Sequence, residues 1–198
     1  GMTNAHFTRL EQYRDLESVN AYRQRVEEAK CQSAESMMAA LALIGRDNSR
    51  TPMQWDASKY AGFTAADAAT EPWIGVNPNH VEINAAEEFD DPDSVYTFYK
   101  KLIAMRHDNA TVATGEWNLV AADSERVYSF TRTGGDDTIL VIVNLTDRTA
   151  RVPAEVAQLL GNGVDESQVL LSTYDAVHGV KSVARGELAR WEGVVIQL

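Results

Sequence analysis

The chain has 198 residues, 44% of them apolar, and its 29 Asp and Glu against 18 Lys and Arg give a net charge of −11. That length holds one large domain or two small ones, and the apolar share suits an ordinary globular core. The acidic surplus argues against nucleic acid and anionic membranes as partners, because both need a basic surface, and a single cysteine, Cys31, excludes a disulfide framework and a cysteine-based zinc site. No apolar run approaches the roughly 20 residues of a membrane span. The first residues carry no charged-then-apolar leader pattern, so the chain reads as cytoplasmic.

In chain order, Thr8 and Glu11 have capping-box spacing. Tyr13, Leu16, Val19, Tyr22 and Val26 follow at helical spacing, which predicts a first helix from about 9 to 29. Ser33 can cap a second over 34–44, rich in Ala, Met and Leu, and Gly45 suits a left-handed position that ends it. Residues 46–92 show no sustained period and hold four of the five prolines. A segment this long that still carries Trp55, Tyr60, Phe63 and Trp73 reads as an ordered, functional loop rather than a disordered one. Asp93 or Ser94 then opens an amphipathic helix, "SVYTFYKKLIAMRHD". Its stripe of Val95, Phe98, Tyr99, Leu102, Ile103 and Arg106 needs something to pack on, and Lys100 and Lys101 face outward.

Near residue 112 the chain changes character. "RVYSFTRT" alternates, "TILVIVNL" reads as a buried strand, and "GGDD" between them is a hairpin turn. "VLLSTY" and "GVVIQL" are further strands, and in the last Val194, Ile196 and Leu198 share a face. Short strands at this spacing predict an antiparallel sandwich. The fold class expected is therefore α+β, with helices and loop over 1–112 and an all-β domain over 113–198.

Few residues point to chemistry. His6, His80, His107 and His178 fall in no ligand spacing, so no metal or other cofactor is expected. Glu87, Glu88, Asp90, Asp91 and Asp93 could pair as acid and base. The run reads better as a solvated charged face whose Asp and Ser cap the next helix. That leaves "GRDNSRTPMQWD" at 45–56. Arg46 offers a planar, permanently charged donor fork and is delivered at a helix end, where it fits a structural salt bridge and a ligand equally well. Asp47 beside it can fix its neighbours. Trp55 and Trp73 fit a sugar face or a core, with the core the commoner fate of an isolated Trp.

Several stretches together resemble one family. "GMTN" at 1–4, "YRDLESVNAY" at 13–22, "GRDNSRTPMQWD" at 45–56, "AGFT" at 61–64, "PWIGVNPN" at 72–79, "EINAAE" at 82–87 and "DPDSVYTFYKKLIAMR" at 91–106 are similar to the C-terminal third of the oligo-1,6-glucosidase-like α-glucosidases of glycoside hydrolase family 13. The resemblance covers 1–112 by motif and 113–198 by strand pattern. Gly1 fits the family sequence, and equally the residue left by a cleaved expression tag.

The resemblance implies a (β/α)8 barrel followed by a C-terminal β-sandwich. This chain would hold the loop after the eighth strand, the last barrel helix near 93–107, and the sandwich, with no barrel strand. The family's Asp nucleophile, Glu acid/base and stabilising Asp would lie upstream. Arg46 matches the arginine that hydrogen-bonds the terminal glucose, and Asp47 its supporting neighbour. The reading implied is a C-terminal portion of an α-glucosidase acting on α-glucoside oligosaccharides, inactive alone, with self-association through its barrel-facing surface. The alternative is a free-standing carbohydrate-binding or protein-interaction module. That reading requires an exposed row of aromatics on a sheet face; Trp117, Tyr128 and Trp191 are the candidates, each expected in the core.

Overall fold

The computed structural model describes residues 2–5 and 7–198, so the readings of Gly1 and His6 lie outside the described residues. The chain divides into two compact units, Gly1–Thr97 and Phe98–Leu198.

In the first unit the expected helix over 9–29 is broken into pieces. A 3-10 turn, Leu10–Gln12, comes first, then α1 (Leu16–Tyr22), which runs into a π-helical stretch, Arg23–Glu28. The break is where Tyr13 turns inward: it is buried, edge-on to Phe7 at 5.5 Å. Asp15, not Thr8, caps the α-helix, its carboxylate accepting from Ser18 N. The Thr8 N–H instead donates to the Gln12 side chain at 3.0 Å. Helix α2 (Ala34–Ile44) begins at Ser33 as expected, with Ser33 Oγ accepting from Ser36 N. Gly45 ends it, but in an extended conformation, φ −61° and ψ 134°, rather than a left-handed one. A glycine suits this position because of crowding: an added Cβ would sit 2.6 Å from the Leu41 carbonyl oxygen. The core of this unit gathers Ala5, Phe7, Tyr13, Met37, Leu41 and Ile74.

The long segment after Gly45 is largely irregular, as expected, yet it is tied down. The Gln54 side chain is buried and donates to the Ile83 carbonyl and to Asn79 Oδ1. Ala85 N and Ala86 N donate to the Gln54 and Trp55 carbonyls. Asn84 caps a short helix the periodicity did not reveal, α3 (Ala85–Asp90). The charged run from Glu87 to Asp93 is mainly exposed, and Ser94 Oγ accepts from Thr97 N where the next helix starts. These observations match the solvated-face reading. That helix is α4 (Val95–Asp108), and it has no buried residue.

The second unit is built on a five-stranded antiparallel sheet in the order β1-β2-β3-β7-β5. Its strands are β1 (Glu116–Val120), β2 (Val127–Gly134), β3 (Asp137–Asn144), β5 (Val169–Ser172) and β7 (Gly193–Gln197). The β2–β3 hairpin pairs Gly134 with Asp137, and Gly135 turns it at φ +63°. Alternation sorts the faces: Val127, Ser129 and Thr131 are buried, whereas Tyr128 is exposed. The second layer is a two-stranded ladder, β4 (Ala150–Arg151) with β6 (Glu187–Leu188), together with helices α6 (Ala154–Leu160) and α7 (Ala176–Arg185). A further short helix, α5 (Ala110–Thr114), precedes β1. The α+β class and the antiparallel sheet agree with expectation. The helices in this half do not follow from the strand pattern. Val156 and Leu160 of α6 and Val183 of α7 pack with Leu140, Ile142, Val194 and Ile196 of the sheet in one core.

Candidate functional site around Arg46

Gly45 releases the chain from α2 into a 3-10 turn, Arg46–Ser49, which sets the motif's side chains in different directions. Asp47 has no exposed surface. Its Oδ2 accepts from the backbone N–H groups of Arg14 at 2.6 Å and Asp15 at 2.9 Å. Asn48 Nδ2 donates to the Ala42 carbonyl at 3.1 Å near the end of α2, and Asn48 Oδ1 accepts from Ala5 N. These two residues stitch the turn to the chain before α1, where helix ends leave polar groups that need partners.

Arg46 differs from them. Its side chain is 61% exposed, yet Nη2 donates to Asp15 Oδ1 at 2.5 Å, and Glu17 lies 3.4 Å away. Arg50 Nη2 shares Asp15 Oδ1 at 3.3 Å. The bond from Arg46, with those from Ser18, holds the Asp15 carboxyl well below the usual carboxylate range and outweighs the opposing effect of its burial. The same pairing raises the Arg46 value further above its ordinary one. Asp15 therefore stays anionic and has no proton to donate as a general acid. Asp47 spends Oδ2 on two backbone bonds, and its buried Oδ1 lies 3.6 Å from Arg50 Nε. Among the described residues, the cluster is chemically a charged, hydrogen-bonding wall. A cavity of about 260 Å³ adjoins it, lined in part by Asp15, Glu17, Arg25, Met37, Ile44 and Arg46.

Both candidate site residues thus come together, Arg46 at the surface and Asp47 beneath it. Arg50, part of the same polar motif, and Asp15, which was not singled out from the sequence, complete the cluster. Asp15 does carry a local signal, an Asp three residues before Ser18 at a helix start, but nothing local announces its pairing with Arg46. The aromatics fall otherwise than expected. Trp55 and Trp73 are exposed, and so are Trp117, Tyr128 and Trp191, none of which sits in a core. Among the described residues no group of His, Cys, Asp and Glu could hold a metal ion. Among the described residues no helix is long and apolar enough to cross a membrane.

Residues 1–115, which include this cluster, match the family described as α-amylase, catalytic domain. The chain belongs to that family. The oligo-1,6-glucosidase of Parageobacillus thermoglucosidasius is 38% identical over 200 residues, covering 100% of this chain and 34% of its own length. An α-glucosidase of Pediococcus pentosaceus is 42% identical over 188 residues, covering 89% of this chain and 32% of its own. Among solved structures, the trehalulose synthase of Pseudomonas mesoacidophila MX-45 superposes with a TM-score of 0.78 at 34% identity, over 99% of this chain and 33% of that one. The chain spans about a third of the length of these α-amylase family members.

Proposed function

We propose that this chain is the closing third of an α-glucosidase, that it supplies Arg46 as one wall of a glucose pocket, and that it does not hydrolyse glucosides alone. Within it, 1–112 corresponds to the end of the barrel and 113–198 to the C-terminal domain. The observation that carries the reading is the bare face of α4. Val95, Tyr99 and Ile103 are 53%, 62% and 54% exposed, and an apolar stripe of that kind on a soluble protein marks a surface made to be covered. Retaining hydrolysis needs two carboxyl groups about 5–5.5 Å apart across the sugar. Of the acids around Arg46, Asp15 and Asp47 are committed to other bonds, and Glu17 stands in solvent 3.4 Å from the guanidinium itself. In this reading the catalytic carboxylates and the cover for α4 come from polypeptide that the relatives carry and this chain lacks. The ligand is then a non-reducing glucose unit of an α-glucoside, and no cofactor enters.

The test is release of nitrophenol from nitrophenyl α-glucoside. The chain alone is expected to show none. Fused behind the part of the Parageobacillus thermoglucosidasius enzyme that it does not match, it is expected to restore turnover, and Arg46→Ala to abolish most of it. Turnover by the chain alone overturns the reading.

A binding module is the second reading, favoured by Trp117, Tyr128 and Trp191 at 47%, 43% and 58% exposure. Retardation of the chain in a dextran-containing native gel, lost with Trp117→Ala, would select it.

A further inference from the structure

An exposed arginine samples many rotamers, and holding one of them costs about 2 kcal/mol of side-chain entropy. A sugar-binding guanidinium therefore needs something to fix it. Asp15 has the features required. It is 3% exposed and is itself held on three sides. Its backbone N–H donates to Asp47 Oδ2 at 2.9 Å, and its Oδ2 accepts from Ser18 Oγ at 2.8 Å and from Ser18 N at 3.3 Å. Oδ1 is left over, and that oxygen takes Arg46 Nη2 at 2.5 Å. Glu17 is the other acid near Arg46, but it is 3.4 Å away and open to solvent, which screens it.

We propose that Asp15 is the positioning residue for Arg46. It is a preset carboxylate that clamps Nη2 and leaves Nε and Nη1 free to donate to the hydroxyls of an α-glucoside. Asp47 acts one step further back, because its carboxylate fixes the backbone that carries Asp15. Arg50, the second arginine on Oδ1 at 3.3 Å, offsets the charge that Asp15 buries. The assignment of the ligand rests on the glucosidase reading above; the clamp itself does not.

The test has two arms. In the 198-residue chain, side-chain nitrogen NMR of Arg46 reports whether its Nη protons are held. Slow exchange and resolved Nη signals are expected in the native chain and in Glu17→Gln, and their collapse in Asp15→Asn, which keeps an oxygen to cap Ser18. Signals that persist in Asp15→Asn overturn the proposal, whatever the chain's function. The second arm uses the fused enzyme. Asp15→Asn is expected to raise KM by about tenfold or more, the weight of a hydrogen bond to a charged group, and to add less than about twofold in an Arg46→Ala background. Asp15→Glu is expected to recover part of the loss. Independent, additive losses refute positioning while leaving the glucosidase reading intact. An inactive native fusion refutes that reading, and the NMR arm then decides the clamp.

Discussion

Asp47 shows how much of a binding motif can be scaffold. Its carboxylate has no contact with solvent and serves the Arg14 and Asp15 amides. Asp47→Ala would leave the buried Asp15 amide without a partner, at about 1–3 kcal/mol, and take the acceptor from the half-buried Arg14 amide as well. A loss of about 2–4 kcal/mol is expected from urea unfolding, where a surface Asp would cost almost nothing. Asp15 adds a pH dependence of definite sign. Its folded value is depressed below the unfolded one by Arg46. The stability this confers is therefore fully present above the ordinary carboxylate value, about pH 4, and drains away as pH falls toward the native value. Urea midpoints for the native chain should drop more steeply between about pH 4 and about pH 2 than those for Asp15→Asn. Parallel slopes would mean that the pair is not formed in solution.

Among the elements, α2 was legible because its signals are local: Ser33 at the start, an Ala, Met and Leu run, and Gly45 at the stop. Even there the reason for the glycine came from packing. The Leu41 carbonyl and the Tyr13 ring leave no room for a Cβ, at 2.6 Å and 3.2 Å. Gly45→Ala is expected to cost about 1–3 kcal/mol by overpacking; a neutral effect in thermal unfolding would show that the helix end can shift. The first helix was misread because its period continues through Tyr13, while tertiary contacts turn that residue inward beside Phe7 and let Asp47 seize the next two amides. The strands β2, β3 and β7 were read well, since alternation and an unbroken apolar run each mark a strand. Helices α6 and α7 carried usable marks that the strand pattern obscured. Val156 and Leu160 stand four apart, and Asp175 caps α7, its carboxylate accepting from His178 N at 2.7 Å.

For the chain taken whole, two opposed forces set its behaviour in solution. The net charge of −11 keeps copies apart. The bare stripe of α4 draws them together, because apolar area left in water is worth about 25 cal/mol per Å² when covered. Expected from light scattering is association that grows with added salt as repulsion is screened. It should fall when Val95, Tyr99 and Ile103 are all changed to Ser. A chain that stays monomeric at high salt would show that the stripe is not adhesive.

By itself the sequence determined the family, the α+β class, the main strands and the presence of Arg46 in a loop, because each is written in neighbouring residues or in motif order. Only the tertiary structure decided what the acids do. Asp15 and Asp47 are 32 positions apart in the chain, yet a 2.9 Å bond joins them, and no local pattern encodes such a distance. It also decided that Trp55, Trp73, Trp117, Tyr128 and Trp191 stand in solvent. Hydrophobicity says that a tryptophan gains from burial, and it does not say whether the surface that would bury it belongs to the same polypeptide.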